Sequence, residues 1–147
     1  LFGFFGRLHG MDEGALARRR EELFARFGID RFAEVKVGDL STGMKQKVSI
    51  AVSVMHDPPV VIFDEPTNGL DVLTAKVVTD FLEELKRQGK SVLLSTHIFS
   101  LVEKLCDRVG VIIGGRMAKE GTLDQVRGEK SLEDAFFDIY KREVTGR

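Results

Sequence analysis

Near the start of the chain, apolar residues recur at helical spacing. Leu16, Leu23, Phe24 and Phe27 share one face between Asp12, suited to an N-cap, and Gly28, suited to a stop. The mixed charges from Arg18 to Glu22 fall mostly on the opposite, solvated face. After a looser stretch from Ile29 to Asp39, Ser41 can cap a second helix carrying Met44, Val48, Ala51, Val52 and Met55. His56-Asp57-Pro58-Pro59 ends it. From there strand and helix alternate. Val60 to Phe63 reads as a buried strand, and Val72 to Arg87 as a helix turning Val77, Val78, Phe81, Leu82 and Leu85 inward. Ser91 to Ser95 is the next strand, and the crossover between the two strands makes them parallel. A helix over Ile98 to Cys106 follows. Strands Arg108 to Ile113 and Arg116 to Glu120 are then joined by Gly114-Gly115, a good hairpin turn. Asp134 to Val144 reads as a closing helix that packs through Ala135, Phe136, Ile139 and Tyr140. The fold class is α/β. A seam near Pro58-Pro59 separates a helical part, residues 1–58, from an α/β part, residues 59–147.

Composition adds bounds rather than detail. The 147 residues, 43% hydrophobic and 31% charged, suit one globular domain or a large piece of one. A net charge of −1 offers no nucleic-acid or anionic-membrane surface, so no nucleic-acid partner is expected. Cys106, the one cysteine, excludes an internal disulfide and suits a reducing compartment. No apolar run approaches the roughly 20 residues of a spanning helix. The Phe-rich start, Leu1 to Phe5, is too short and uncharged for a secretory signal, and opening on Leu points to a processed or excised piece.

The candidate chemistry gathers where apolar strands end. Val61-Ile62-Phe63 delivers Asp64 and Glu65 into a Pro/Gly-containing turn that reaches Asp71, and Leu93-Leu94-Ser95-Thr96 leads to His97. Parallel strands bring Asp64, Glu65 and His97 to one carboxyl edge, where ligands of open α/β sheets bind. There Asp64 can hold Mg²⁺ through water, and Glu65 can orient or deprotonate an attacking water. His97 can hydrogen-bond a terminal phosphate and respond to its loss. Each has a plainer reading, as a strand-ending acid, a turn carboxylate or a structural histidine; the shared edge favours the chemical one. Ser41 and Gly43, at a helix start, can aim backbone N–H groups at an anion, the plain alternative being an ordinary N-cap.

Taken in order, these stretches resemble the motifs of the ATP-binding-cassette (ABC) ATPases. Leu40-Ser41-Thr42-Gly43-Met44 resembles the signature sequence, and Lys45-Gln46-Lys47 the basic-Gln-basic run after it. Val60 to Glu65 resembles the Walker B strand with its catalytic glutamate, Asn68-Gly69-Leu70-Asp71 the D-loop, and His97 the switch histidine. Gly115-Arg116 and Glu120-Gly121-Thr122 resemble the family's ending. The resemblance implies a partial P-loop NTPase (RecA-like) parallel sheet, with a helical subdomain bearing the signature and a C-terminal β-hairpin and helix. It implies ATP and Mg²⁺ as cofactors, Glu65 and His97 as catalytic residues, and Asp64 as the metal ligand. Ser41, Thr42 and Gly43 would contact ATP held by a second ATP-binding subunit, with Asp71 at the dimer seam. The intact subunit would dimerise head to tail and hydrolyse ATP to drive a transmembrane permease. It would be cytoplasmic and peripheral on the inner face of the cell membrane, with Leu1 to Leu8 toward the permease. The Asn-Gly-Leu-Asp run, Thr42 and the tail Leu132-Glu133-Asp134-Ala135-Phe136-Phe137 most resemble exporters.

This sequence departs from the family pattern in four places. Thr42 stands where glycine is usual, Met44 where glutamine is common, and Val52 where a basic residue is common. No G-x-x-x-x-G-K-[ST] loop occurs, so the chain alone is expected to bind ATP very weakly and not to hydrolyse it. It is also expected to expose an apolar sheet edge and self-associate. Two rival readings stand beside this one. A soluble cassette ATPase acting on DNA or the ribosome usually carries coiled-coil insertions or duplicated cassettes, neither of which appears in this chain. A catalytically silent interaction module would remain inactive even with a phosphate-binding segment supplied.

Overall fold

The computed structural model describes residues 1–145, and the chain divides after Ser95 into two compact units. The first contains α1 (Phe2–Leu8), α2 (Glu13–Phe27), short 3-10 turns at Ile29–Phe32 and Val37–Asp39, and α3 (Thr42–Val54). It continues through β1 (Val60–Asp64), α4 (Val72–Arg87) and β2 (Ser91–Ser95). The seam expected at Pro58-Pro59 therefore lies inside this unit.

The helix α2 forms as its pattern predicts. Asp12 accepts the Ala15 N–H at 2.8 Å, and Gly28 ends the helix in the left-handed region at φ 65°. Leu16, Leu23 and Phe27 are buried. The ring of Phe27 meets Phe81 of α4 edge-on at 4.9 Å, and Phe24 meets Phe2 of α1 at 5.3 Å. Burying each such aromatic stabilises the fold by about 1.5–3 kcal/mol. The helix α1 was not expected from the pattern. It closes on α2 through Gly6, where any Cβ would overlap Leu16 Cδ1 and lie 3.1 Å from Met55 Cε.

Helix α3 starts where Ser41 predicts, its Oγ accepting the Met44 N–H at 3.3 Å. Its inner face is rotated from the expected stripe. Ile50, Ala51, Val54 and Met55 are buried, while Met44, Val48 and Val52 are only half-buried. The connector to β1 turns at Asp57, a non-glycine residue at φ 54°. Its carboxylate lies 2.9 Å from Lys90 Nζ and 3.6 Å from Arg19 Nη2, tying α2 and the start of β2 to this corner.

β1 and β2 pair in parallel, from Val60 opposite Ser91 to Asp64 opposite Ser95. The expectation of a buried strand needs correction, because only one face of β1 is covered. Val61 and Phe63 are 6% and 7% exposed, whereas Ile62 is 71% exposed and Leu93 of β2 is 63% exposed. Side chains alternate across a strand, so a sheet packed on a helix at one face leaves the other bare. Helix α4 packs against β2, burying Val78, Phe81, Leu82 and Leu85 while Val77 stays half-buried.

The second unit holds α5 (Phe99–Leu105), β3 (Arg108–Ile113), β4 (Arg116–Thr122), α6 (Leu123–Arg127) and α7 (Leu132–Thr145). β3 and β4 are antiparallel, with a bulge at Val111/Ile112. Gly114 and Gly115 both take positive φ, at 56° and 75°, as a two-residue hairpin turn demands. β4 runs on to Thr122, whose side chain opens α6 with a reciprocal capping box to Gln125. Val111, Val126, Leu132 and Ile139 form the core, flanked by Phe99 and Phe136. Tyr140, expected to pack inward, is 45% exposed. Among the described residues no helix is long and apolar enough to cross a membrane.

Candidate functional site

The site is built from the point where β1 and β2 end together. The Ser95 hydroxyl donates to Asp64 Oδ1, and the Glu65 N–H donates to the Ser95 carbonyl at 3.0 Å. Asp64 is exposed, so its remaining lone pairs can serve a cation. A carboxylate beside a hydroxyl is a hard, all-oxygen donor set. That suits Mg²⁺, which accepts one or two protein oxygens and keeps much of its water.

Glu65 begins the turn with φ 44°, in the left-handed region, a conformation that costs a non-glycine residue about 1–3 kcal/mol. The surrounding turn offsets that cost. Its carbonyl accepts the Asn68 N–H at 3.1 Å, and the Leu70 N–H donates to the Thr67 carbonyl at 3.3 Å. Gln46, reaching from α3, donates through Nε2 to the Pro66 carbonyl at 3.1 Å. Pro66 and Thr67 are buried beneath the turn, and the Thr67 hydroxyl has no hydrogen-bond partner among the described residues. Such strain, over-determined by its surroundings, concentrates at working sites.

The turn exits into Asp71, which caps α4 by accepting the Thr74 N–H at 3.0 Å. That N–H, followed by the Thr74 hydroxyl, holds the Asp71 carboxyl below the usual carboxylate range and keeps it ionised at neutral pH. Gly43 sits against the same cap. A Cβ there would lie 3.3 Å from Thr74 Oγ1 and 3.7 Å from Asp71 Oδ2. The structure thus brings together Gly43 and Asp71, which the sequence presents as separate motifs. Ser41 and Thr42 are exposed at the start of the same helix.

Two contributors escaped sequence reasoning. Thr74 had no signal at all; Gln46 had one, its place in the basic-Gln-basic run. His97 belongs to the second unit, two residues beyond Ser95 along the chain, and is exposed. Beside it the Thr96 hydroxyl accepts the Ile98 N–H at 3.2 Å. Two depressions of the first unit lie elsewhere. One of about 230 Å³ is lined by Leu23, Arg26, Phe81 and Glu84, and one of about 560 Å³ by His9, Arg18, Arg19 and His56.

Comparison with known proteins places this geometry in context. The family model described as "ABC transporter" matches residues 4–68. The ABC transporter ATP-binding protein NatA of Bacillus subtilis (strain 168) is 38% identical over 97% of this chain. The chain spans 58% of that relative's length. A solved ATP-binding subunit of an ABC transporter superposes with a TM-score of 0.86 at 32% identity, over 94% of this chain and 60% of that one. A dimeric ATP-binding cassette, in a post-hydrolysis state with ADP and Pi, superposes with a TM-score of 0.68 at 29% identity. It covers 77% of this chain and 49% of its own.

Proposed function

Given that this chain belongs to the ABC transporter ATP-binding family and shares its P-loop NTPase fold, we propose that it supplies the hydrolytic edge and the signature surface of a transporter ATPase. In this reading Asp64 holds Mg²⁺ and Glu65 orients and deprotonates the water that attacks the γ-phosphate. His97 hydrogen-bonds that phosphate. Ser41, Thr42 and Gly43 present the start of α3 to ATP bound by a second ATP-binding subunit, and Asp71 sits at the seam between the two subunits. Residues 1–58 act as the helical subdomain and residues 59–147 as the C-terminal part of the ATPase core. The exposed face of α1, with Leu1, Phe4 and Leu8 at 63%, 65% and 68% exposure, meets a transmembrane permease that holds the subunit at the inner face of the cell membrane. The work performed is export, by the resemblance of its Asn-Gly-Leu-Asp run, Thr42 and tail to exporter subunits.

One observation carries the reading: β1 and β2 finish in register, and the residue that follows Asp64 is a glutamate held in a left-handed turn. Residue by residue, the chemistry is simple. Asp64, already bonded to the Ser95 hydroxyl, would hold the cation. Glu65 accepts the water's proton as the oxygen approaches phosphorus. Mg²⁺, when bound, neutralises charge on the phosphate oxygens.

The test uses the full-length subunit with its permease. Glu65→Gln is expected to lower phosphate release at least 100-fold while retaining bound ATP, and His97→Ala to lower it roughly 10-fold or more. Normal turnover in both variants would overturn the assignment.

A further inference from the structure

We infer that Gln46 is a positioning residue for Glu65, fixing the left-handed turn to the signature helix. This rests on the ATPase reading above, but the contact itself does not. The turn from Glu65 to Asp71 is tied at its entry by the Glu65 N–H to Ser95 and at its exit by the Asp71 cap. Between these ties lies Pro66, which lacks an N–H and leaves only its carbonyl to anchor the backbone. Gln46 takes that carbonyl at 3.1 Å through a part-buried amide. The carbonyl can only accept, so the nitrogen of the Gln46 side chain must face it.

The placement of Gln46 gives the contact its meaning. It lies three residues after Gly43 in α3, on the helix whose start packs against Asp71 and Thr74. One helix therefore touches the turn at two points, the Pro66 carbonyl beside Glu65 and the cap at Asp71. Lys45 and Lys47 flank Gln46; among the described residues neither bonds to the turn, and Lys45 donates instead to the Gly38 carbonyl at 3.3 Å.

Two measurements test this. In the 147-residue chain, hydrogen exchange of the Glu65 and Asn68 amides reports the turn directly. Gln46→Met, of similar length without a donor, is expected to speed both about 10-fold relative to amides inside α4, and Gln46→Lys, which restores a donor, to reverse it. Unchanged exchange at both amides, or equal acceleration throughout the unit, would overturn the proposal. In the full-length subunit, Gln46→Met is expected to lower kcat roughly 10- to 100-fold at unchanged KM for ATP, with recovery in Gln46→Lys. If Glu65→Gln abolishes turnover while Gln46→Met keeps a normal kcat, Gln46 does not position the glutamate. If Glu65→Gln itself turns over normally, the ATPase reading fails instead.

Discussion

His56 stacks on His9 with ring centroids 3.8 Å apart and planes 5° from parallel, joining the end of α1 to the end of α3. Burial first, and the His9 imidazole second, hold the His56 ring below its ordinary value near 6.5, with Asp57 pulling the other way. Arg18, Arg19 and Glu22 of α2 line the same depression. Because the unfolded chain takes up this proton more readily than the folded one, the contribution of His56 is fully present above pH 6.5. It is lost as pH falls through 6.5 toward the lower folded value. The carboxylates titrate in a different window. Asp12, held down by the Ala15 N–H, and Asp71, held down by the Thr74 N–H, keep their contributions until pH falls below about 3.8. The urea midpoint should therefore drop between pH 7.5 and 5.0. His56→Phe, which still stacks on His9 but cannot titrate, should flatten that drop. An equal drop in the variant would remove His56 as its source.

Individual elements differ in how much of their stability comes from local sequence. Helix α6 is five residues long and opens on the Thr122–Gln125 capping box, so Thr122→Ala should cost about 1 kcal/mol. Phe27, 1% exposed where α2 meets α4, is a tertiary contact, and Phe27→Ala should cost about 3–5 kcal/mol. Urea unfolding of the two variants would check that ordering. The same contrast explains what could be read from the chain beforehand. Helices α2 and α4 and the β3–β4 hairpin announce themselves through spacing, caps and paired glycines, all of them local signals. Helix α1 does not, since Phe2–Leu8 carries two glycines and is held by the close approach at Gly6, which no neighbouring residue reports. The T-x-x-Q pattern from Thr122 could have revealed α6, but in the sequence Glu120-Gly121-Thr122 is matched only to the family's ending. The rotated face of α3 depends on where α1, α2 and the 3-10 turn press against it, information held by other parts of the sequence. At the candidate site the acids and their turn were legible, because an apolar strand ending in Asp-Glu-Pro is a local pattern. The grip of Gln46 on Pro66 and the contact of Gly43 with Thr74 were not, because each joins segments 20 or more residues apart.

For the molecule as a whole, the amount of phosphate-binding surface it carries is decisive. In the proposed reading the acids of the strand edge and the start of α3 would contribute cation and anion contacts, but this sequence contains no G-x-x-x-x-G-K-[ST] cradle. Calorimetry of the 147-residue chain with Mg-ATP should accordingly give binding no tighter than about 1 mM, that is, about −4 kcal/mol. Micromolar affinity would show that the strand edge alone suffices. The bare face of β1 and β2, with Ile62 and Leu93 outermost, is the other molecular-scale feature, an apolar surface on a two-stranded sheet.

The left-handed backbone at Glu65 has a bearing on how mutagenesis of that position is interpreted. A replacement there can change two quantities at once, the acid–base group and the ease with which the main chain bends. Glycine or asparagine would relax the bend while removing the acid; valine or isoleucine would oppose it. Glutamine, unbranched at Cβ and of the same length as glutamate, leaves the bend nearly as it was, so a graded series at this codon separates reactivity from conformational tolerance.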